Sequence, residues 1–228
     1  MKKETMIDNY LNSLLRTDNR ILDFVETLSK IGEIIFFGGS IRDLYLANEN
    51  KNSPRDYDVV INLNSNITEF ENFLESYEHR KNRFDGYKIL IGSTEFDIWR
   101  IEKTWAFHNK LLENEESNLI ESVYLSVDGI AYNYNKKILY DNILKDTDDR
   151  KEINIVLKNN PQKELNLLRG LIFKEKYNYN LSYELKSEYR DFKRMNKNLS
   201  KILYDLQYDH YKEEKLTLEQ IEKELRMI

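Results

Sequence analysis

The sequence predicts an α+β protein, a small mixed sheet with helices on one face followed by an α-helical C-terminal part. Three observations carry that reading. Apolar runs of strand length stand at Glu33–Phe37, Tyr57–Leu63, Tyr87–Gly92 and Glu95–Ile101, bounded by turn-forming or polar residues. Helical apolar spacing fills Thr5–Leu15, Asn19–Ile31 and Ile67–Tyr77, before and between those runs. Beyond Pro161 the pattern is helical to the last residue, and proline suits the opening position of a helix.

Taken in order, the first two helices are scaffold that packs against the sheet. The strand ending at Phe37 runs into Gly38-Gly39, and Ser40 is a good N-cap for a helix beginning at Ile41. Strand-like segments near Val123–Tyr132 and Lys137–Tyr140 come later in the chain. Only two prolines and seven glycines occur, so no flexible linker is evident. The domain change is therefore placed where the pattern turns helical, near Asn159-Asn160, giving domains 1–159 and 160–228.

The chemistry gathers in two motifs. In Phe36-Phe37-Gly38-Gly39-Ser40-Ile41-Arg42-Asp43 a glycine turn feeds a helix start. Amides at such a start lack intrahelical acceptors and the helix dipole favours negative charge, so the turn is a phosphate cradle. The second motif is Asp56-Tyr57-Asp58 at the head of an apolar strand. Alternate strand residues share a face, so both carboxylates project together, as needed to hold Mg²⁺ ions roughly 3.5–4 Å apart for an in-line phosphoryl displacement. Thr94–Ile101 adds Glu95 and Asp97 on one face of a further strand. Asp97 is the favoured third ligand, because Phe96 and Ile98 anchor it while Glu95 lies close to the turn at Gly92-Ser93. Arg42 is read as holding phosphate or supporting the turn, and Arg100 as either a further triphosphate contact or a structural partner of Glu95 or Asp97.

These residues carry a family resemblance. Gly38-Gly39-Ser40-Ile41-Arg42-Asp43 with Arg55-Asp56-Tyr57-Asp58 resembles the head domain of poly(A) polymerases and CCA-adding enzymes, in the DNA polymerase β nucleotidyltransferase superfamily. Leu125–Asn133 resembles the family's Phe-Thr-Ile-Asn-Ala-Leu-Ala-Tyr element, and Leu168–Phe173 its Leu-Arg-Ala-Ile-Arg-Phe helix. The resemblance spans about residues 30 to 180. It implies a polymerase β-like head in 1–159 and a helical neck-like domain in 160–228. It further implies NMP transfer from an NTP, with ATP or CTP favoured, to an RNA 3′ end such as that of a tRNA. Gly38, Gly39 and Arg42 are assigned to the nucleotide, and Asp56 and Asp58 to two Mg²⁺ ions, with Mn²⁺ as substitute. Departures mark a divergent relative: the family asparagine stands here as Asp128, the second arginine of the later helix as Ile172, and no base-reading Glu-Asp-x-x-Arg element is recognisable.

Composition bounds the remainder. With 40% hydrophobic residues the 228-residue chain can build a packed core. No cysteine occurs, which excludes disulfides and thiolate metal sites and points to the cytoplasm. No signal-like or membrane-spanning apolar segment is present, so a soluble protein is expected. The net charge of −5, from 35 basic and 40 acidic residues, gives no global attraction to a polyanion, so any RNA contact must be local. Lys186, Arg190, Lys193, Arg194, Lys197 and Lys201 form the best basic patch, although a solvated helix face is the favoured reading of it. Trp99 and Trp105 with Phe107 could stack a base, with core packing the favoured alternative. The histidines carry no ligand spacing.

The acceptor stays open at this point. Because the helical part is short, a partner subunit or homo-oligomer could supply missing surface. Transfer to a protein or small molecule, signalling-oligonucleotide synthesis, and a catalytically silent binding module are the alternatives.

Overall fold

The computed structural model describes residues 2–46, 54, 56–64, 66–82 and 85–228. By compactness they divide into two units, one of residues 1–122 and 128–142 and the other of 123–127 and 143–228. Residues 143–159, grouped with the head in the expectation above, thus cluster with the helical part. The reason lies in pairing: β8 (Glu152–Ile153) joins β9 (Asn180–Leu181) in a small parallel sheet, and Leu125 bridges Ile155.

The first unit opens with α1 (Lys3–Leu15) and α2 (Asn19–Ile31), where the predicted helices were placed. Asp18 caps α2 by accepting the Arg20 N–H, and the helix buries Ile21, Phe24, Val25, Leu28 and Ile31. Then come β1 (Gly32–Phe37), α3 (Gly39–Leu46), β2 (Asp56–Leu63), α4 (Ile67–Glu75), β3 (His79–Lys81), β4 (Tyr87–Ile91) and β5 (Thr94–Arg100). After α5 (Trp105–His108), β6 (Ala131–Asn133) and β7 (Ile138–Tyr140) complete a seven-stranded sheet in the order β3-β4-β5-β2-β1-β6-β7. Among the described residues the β2–β5 pair is parallel while the other pairs of this sheet are antiparallel, so the sheet is mixed.

Strand parity separates the two faces of this sheet. Tyr57 stacks on Phe96 with ring centroids 5.2 Å apart, and Phe96 meets Phe24 of α2 at 5.3 Å. Phe24 in turn stacks on Phe73 of α4. The helices α2 and α4 therefore cover the Tyr57/Phe96 face. Asp56, Asp58, Glu95 and Asp97 alternate with those aromatics and must project from the other face.

At the far end of that second face a polar cluster holds strands and loop together. Glu116 accepts from Asn133 at 2.9 Å, from Lys136 at 3.1 Å and from Tyr140 at 3.2 Å, and Lys136 also pairs with Glu33. Burial alone would raise the Glu116 carboxyl, but hydrogen bonds to Glu33, Asn133, Lys136 and Asn62 outweigh it and hold it down at about 2. A carboxyl depressed below its ordinary 4.5 contributes stability that is present above pH 4.5 and lost as pH falls toward 2. Glu116→Gln is expected to flatten that acid loss of thermal stability, measured as Tm across the same pH window.

The second unit contains most of α6 (Asn142–Arg150), then α7 (Lys163–Tyr177), α8 (Tyr183–Met195), α9 (Leu199–Tyr211) and α10 (Leu218–Met227). Buried Gln207 ties α9 to the segment before α10, donating to Leu216 O and accepting from the N–H groups of Lys215 and Leu216. A capping box, Thr217 with Gln220, starts α10. Gly170 in α7 has a steric reason: a Cβ there would lie 2.5 Å from the Tyr189 hydroxyl, which is buried and donates to Leu167 O. Gly170→Ala should gain about 1 kcal/mol of helix propensity yet destabilise overall by about 1–2 kcal/mol through overpacking. In a Tyr189→Phe background the same change is expected to be neutral or stabilising, since the ring carbon Cζ would sit 3.7 Å away. Chemical denaturation followed by circular dichroism reads this cycle.

Several expectations are corrected. The helix after the glycine turn begins at Gly39, not Ile41, and Ser40 is its second residue rather than its cap. Gly38 takes the capping role, its carbonyl accepting from the N–H groups of Ile41 and Arg42. The strand expected near Val123–Tyr132 reduces to β6, because Ser126–Asp128 forms a 3₁₀ turn. The short strand β3 and the acidic helix α6, not anticipated, are also present. Pro161 does not open α7; its carbonyl accepts from the Asn166 side chain, and the helix starts at Lys163 after a left-handed Gln162. No helix among the described residues is long and apolar enough to cross a membrane.

Candidate active site

The β1–α3 turn is built by one residue. Gly38 has φ +60°, a left-handed conformation that suits glycine, and its N–H donates to Ile130 O at 3.1 Å. That amide is thus committed to the sheet. The N–H groups of Gly39 and Ser40 come next, as the first two of α3, and no intrahelical acceptor exists for them. Of the three residues predicted to cradle phosphate, Gly39 and Ser40 offer the amides and Gly38 sets the bend.

The carboxylates stand in register beside this turn. Asp56 is opposite Glu95 and Asp58 opposite Asp97 in the parallel β2–β5 pair, while Asp58 is also opposite Phe37, the last residue before the turn. One carboxylate oxygen each from Asp56, Glu95 and Asp97 lies within 4.8 Å of the others. Asp58 is turned differently, with Oδ2 at 3.7 Å from where a Gly38 Cβ would be. The structure therefore brings both third-carboxylate candidates together with Asp56 and sets Asp58 against the Gly38 turn. A hard, oxygen-only donor set on one face fits divalent cations such as Mg²⁺.

A cation is already there. Lys88 of β4 lies opposite Asp97, and its ammonium pairs with Glu95 Oε1 at 2.6 Å and Asp97 Oδ2 at 3.2 Å. Burial raises the Asp97 carboxyl above its ordinary range, Lys88 opposes this, and the Glu95 and Asp56 charges add to it. Burial would lower the Lys88 ammonium, but its bonds to Glu95 and Asp97 raise it instead. Sequence reasoning missed Lys88. Its alternation against buried Tyr87, Ile89 and Ile91 puts it on the carboxylate face, yet only the β4–β5 register reveals the partner.

Of the two predicted arginines, Arg42 lies against the glycine turn, its Nη2 3.6 Å from where a Gly39 Cβ would be, whereas Arg100 does not share the carboxylate face. Arg42 is buried, and its guanidinium pairs with buried Asp128 of the 3₁₀ turn and, at 2.8 Å, with Asp43. Asp128 was noted only as a departure from the family's asparagine; here it is the partner of Arg42. Arg100 stands three residues beyond Asp97, an odd step that puts it on the opposite sheet face, where it pairs with Glu102 at 2.7 Å. Arg55 lies outside the described residues.

Trp99, by contrast, shares the carboxylate face. Its ring meets Phe37 edge-on at 6.1 Å, and its Nε1–H donates to buried Thr104 Oγ1 at 3.0 Å. Phe107 is buried. In the helical unit, half of the basic patch is engaged internally: Arg190 and Lys193 donate to the carbonyls of Ile228 and Leu225 at the end of α10, and Arg194 pairs with Asp191.

No family model matches the sequence, and no curated protein matches it. Solved structures do match its fold. A CCA-adding enzyme with ATP superposes with a TM-score of 0.61 at 17% identity, over 94% of this chain and 53% of that one. A Thermotoga maritima CCA-adding enzyme complexed with tRNA gives 0.62 at 16% identity, over 92% and 51%. A tRNA nucleotidyltransferase complexed with a primer tRNA and an incoming ATP analogue gives 0.55 at 19%, over 86% and 57%. This chain has the fold of these nucleotidyltransferases. The chain spans about half the length of the enzymes it matches.

Proposed function

We propose that the chain is a metal-dependent, template-independent nucleotidyltransferase that moves NMP from an NTP to an RNA 3′ end. One observation carries the reading: the Asp56, Glu95 and Asp97 carboxylates lie on the same sheet face and strand ends as Asp58, the Gly38 bend and the open amides of α3. The neighbours solved with ATP, CTP and tRNA support the substrate classes. In this reading the first unit acts as the nucleotidyltransferase head and the second as a helical neck-like domain, in the cytoplasm, with a partner subunit or second copy able to add acceptor surface.

The Gly39 and Ser40 amides would bind the triphosphate, where the helix dipole favours its charge. Asp56, Asp58 and Asp97, with Glu95 beside them, would hold two Mg²⁺ ions, which supply electrostatic stabilisation of the attacking and leaving oxygens when bound. The acceptor hydroxyl oxygen bonds to the α-phosphorus, the bond to the bridging oxygen of pyrophosphate breaks, and the hydroxyl proton leaves to solvent. Arg42 supports the turn through Asp128, and Trp99 with Phe37 offers an aromatic wall on the same face.

The test is incubation of the purified chain with Mg²⁺, each of four radiolabelled NTPs and total RNA, resolved on a denaturing gel. Label in a discrete RNA band establishes the transferase and names its nucleotide. Label in protein or small molecules alone would overturn the RNA acceptor.

A further inference from the structure

The carboxylate cluster carries its own cation, and the physical consequences reach beyond the proposed reaction. Lys88 is not a freely solvated surface lysine. Its strand neighbours Tyr87, Ile89 and Ile91 are buried on the helix-covered side, which fixes the backbone and directs Lys88 to the carboxylate face. Its register partner is Asp97, and Glu95, opposite Leu90, is two residue pairs along the same ladder and on the same face. The ammonium donates to both, at 2.6 and 3.2 Å. Glu95 and Asp97 are two of the three residues whose carboxylate oxygens lie within 4.8 Å of one another.

We propose that Lys88 is the resident counter-cation of the carboxylate cluster, holding Glu95 and Asp97 until a divalent cation displaces its ammonium. Metal binding is then an exchange of one cation for another. This rests on the reading of the cluster as a metal site. The physical argument is competition for the same lone pairs. A Mg²⁺ ion takes carboxylate oxygens at roughly 2.0–2.1 Å, so an oxygen drawn into its shell leaves the ammonium. The four-carbon lysine stem lets the ammonium swing aside without moving β4. Until then the ammonium relieves the mutual repulsion of the acidic residues, keeping them assembled. Displaced, it stays on the face where the triphosphate of the substrate would lie.

The experiment is titration of the full chain with Mn²⁺ in the absence of nucleotide, reading free Mn²⁺ by electron paramagnetic resonance. It compares the unaltered chain with Lys88→Gln, Lys88→Met, Lys88→Arg and the Asp56→Asn/Asp97→Asn pair, with circular dichroism confirming the fold of each. Either neutral Lys88 variant is expected to bind Mn²⁺ about tenfold more tightly, since the competing charge is gone. Lys88→Arg should stay close to the unaltered chain. Unchanged or weaker binding in a folded neutral variant, alongside Mn²⁺ binding that the aspartate variants abolish, would overturn the role of Lys88 and leave the metal site standing. Absence of Mn²⁺ binding by the unaltered chain and by both neutral variants would overturn the metal site itself.

Discussion

Asp56→Asn combined with Asp58→Asn is expected to reduce nucleotidyl transfer by at least about a thousandfold, roughly 4 kcal/mol of transition-state stabilisation, while the chain stays folded. The two carboxylates are expected to act through charge held at the reacting phosphate, and the amide replacements keep shape while removing that charge. Folding should tolerate the change. Asp56 contributes to raising the Asp97 carboxyl, so neutralising it relieves like-charge repulsion, and the half-buried strand retains Tyr57, Val59, Val60 and Ile61 in the core. A Tm within a few degrees of the unaltered chain, with transfer abolished, is the expected pair of results. Transfer that survives the double substitution would remove the carboxylates from the mechanism. The same assay separates the two candidates for the third position. Asp97→Asn is expected to cost more than Glu95→Gln, because Asp97 is the more enclosed of the pair, with 24% side-chain exposure against 37%.

How much of this was legible in the chain depends on whether the signal was local. The glycine turn, the Asp-x-Asp strand and the Glu95/Asp97 strand were readable because strand alternation fixes which residues share a face. Their assembly into one sheet follows from apolar runs that can pair, and the observed β1, β2, β4 and β5 differ from the expected strands by a residue at their ends. What could not be read was register between strands distant in sequence. Lys88 opposite Asp97 depends on the β4–β5 pairing, and Asp128 beneath the glycine turn depends on a 3₁₀ turn brought to α3 from 86 residues away. The misassigned start of α3 has a different origin. Serine at a helix start suggests a cap from propensity alone, whereas Gly38 in the left-handed region puts its own carbonyl in the capping position. Arg100 follows Asp97 by three residues, and a step of three in a strand reverses the face.

Arg42→Met is expected to be among the most destabilising single changes in the first unit, costing about 3–5 kcal/mol. Arg42 and Asp128 are each only 6% exposed, so removing the guanidinium strands a carboxylate away from water. Asp43 does not suffer in the same way, since its side chain is 45% exposed and can be hydrated. The double variant Arg42→Met/Asp128→Leu should recover most of the loss, because replacing both members of a buried ion pair with apolar groups removes the desolvation cost along with the attraction. Both tryptophans of the chain, Trp99 and Trp105, lie in this unit, so denaturant unfolding followed by their fluorescence reports on it directly. Asp128→Asn keeps an acceptor for Arg42 and is expected to cost only about 1–2 kcal/mol. The pattern decides what Arg42 is for. A strut beneath the glycine turn loses stability in the single variant and regains it in the double. A phosphate-binding arginine would instead leave stability nearly unchanged and raise the KM for NTP, with no recovery when Asp128 is altered as well.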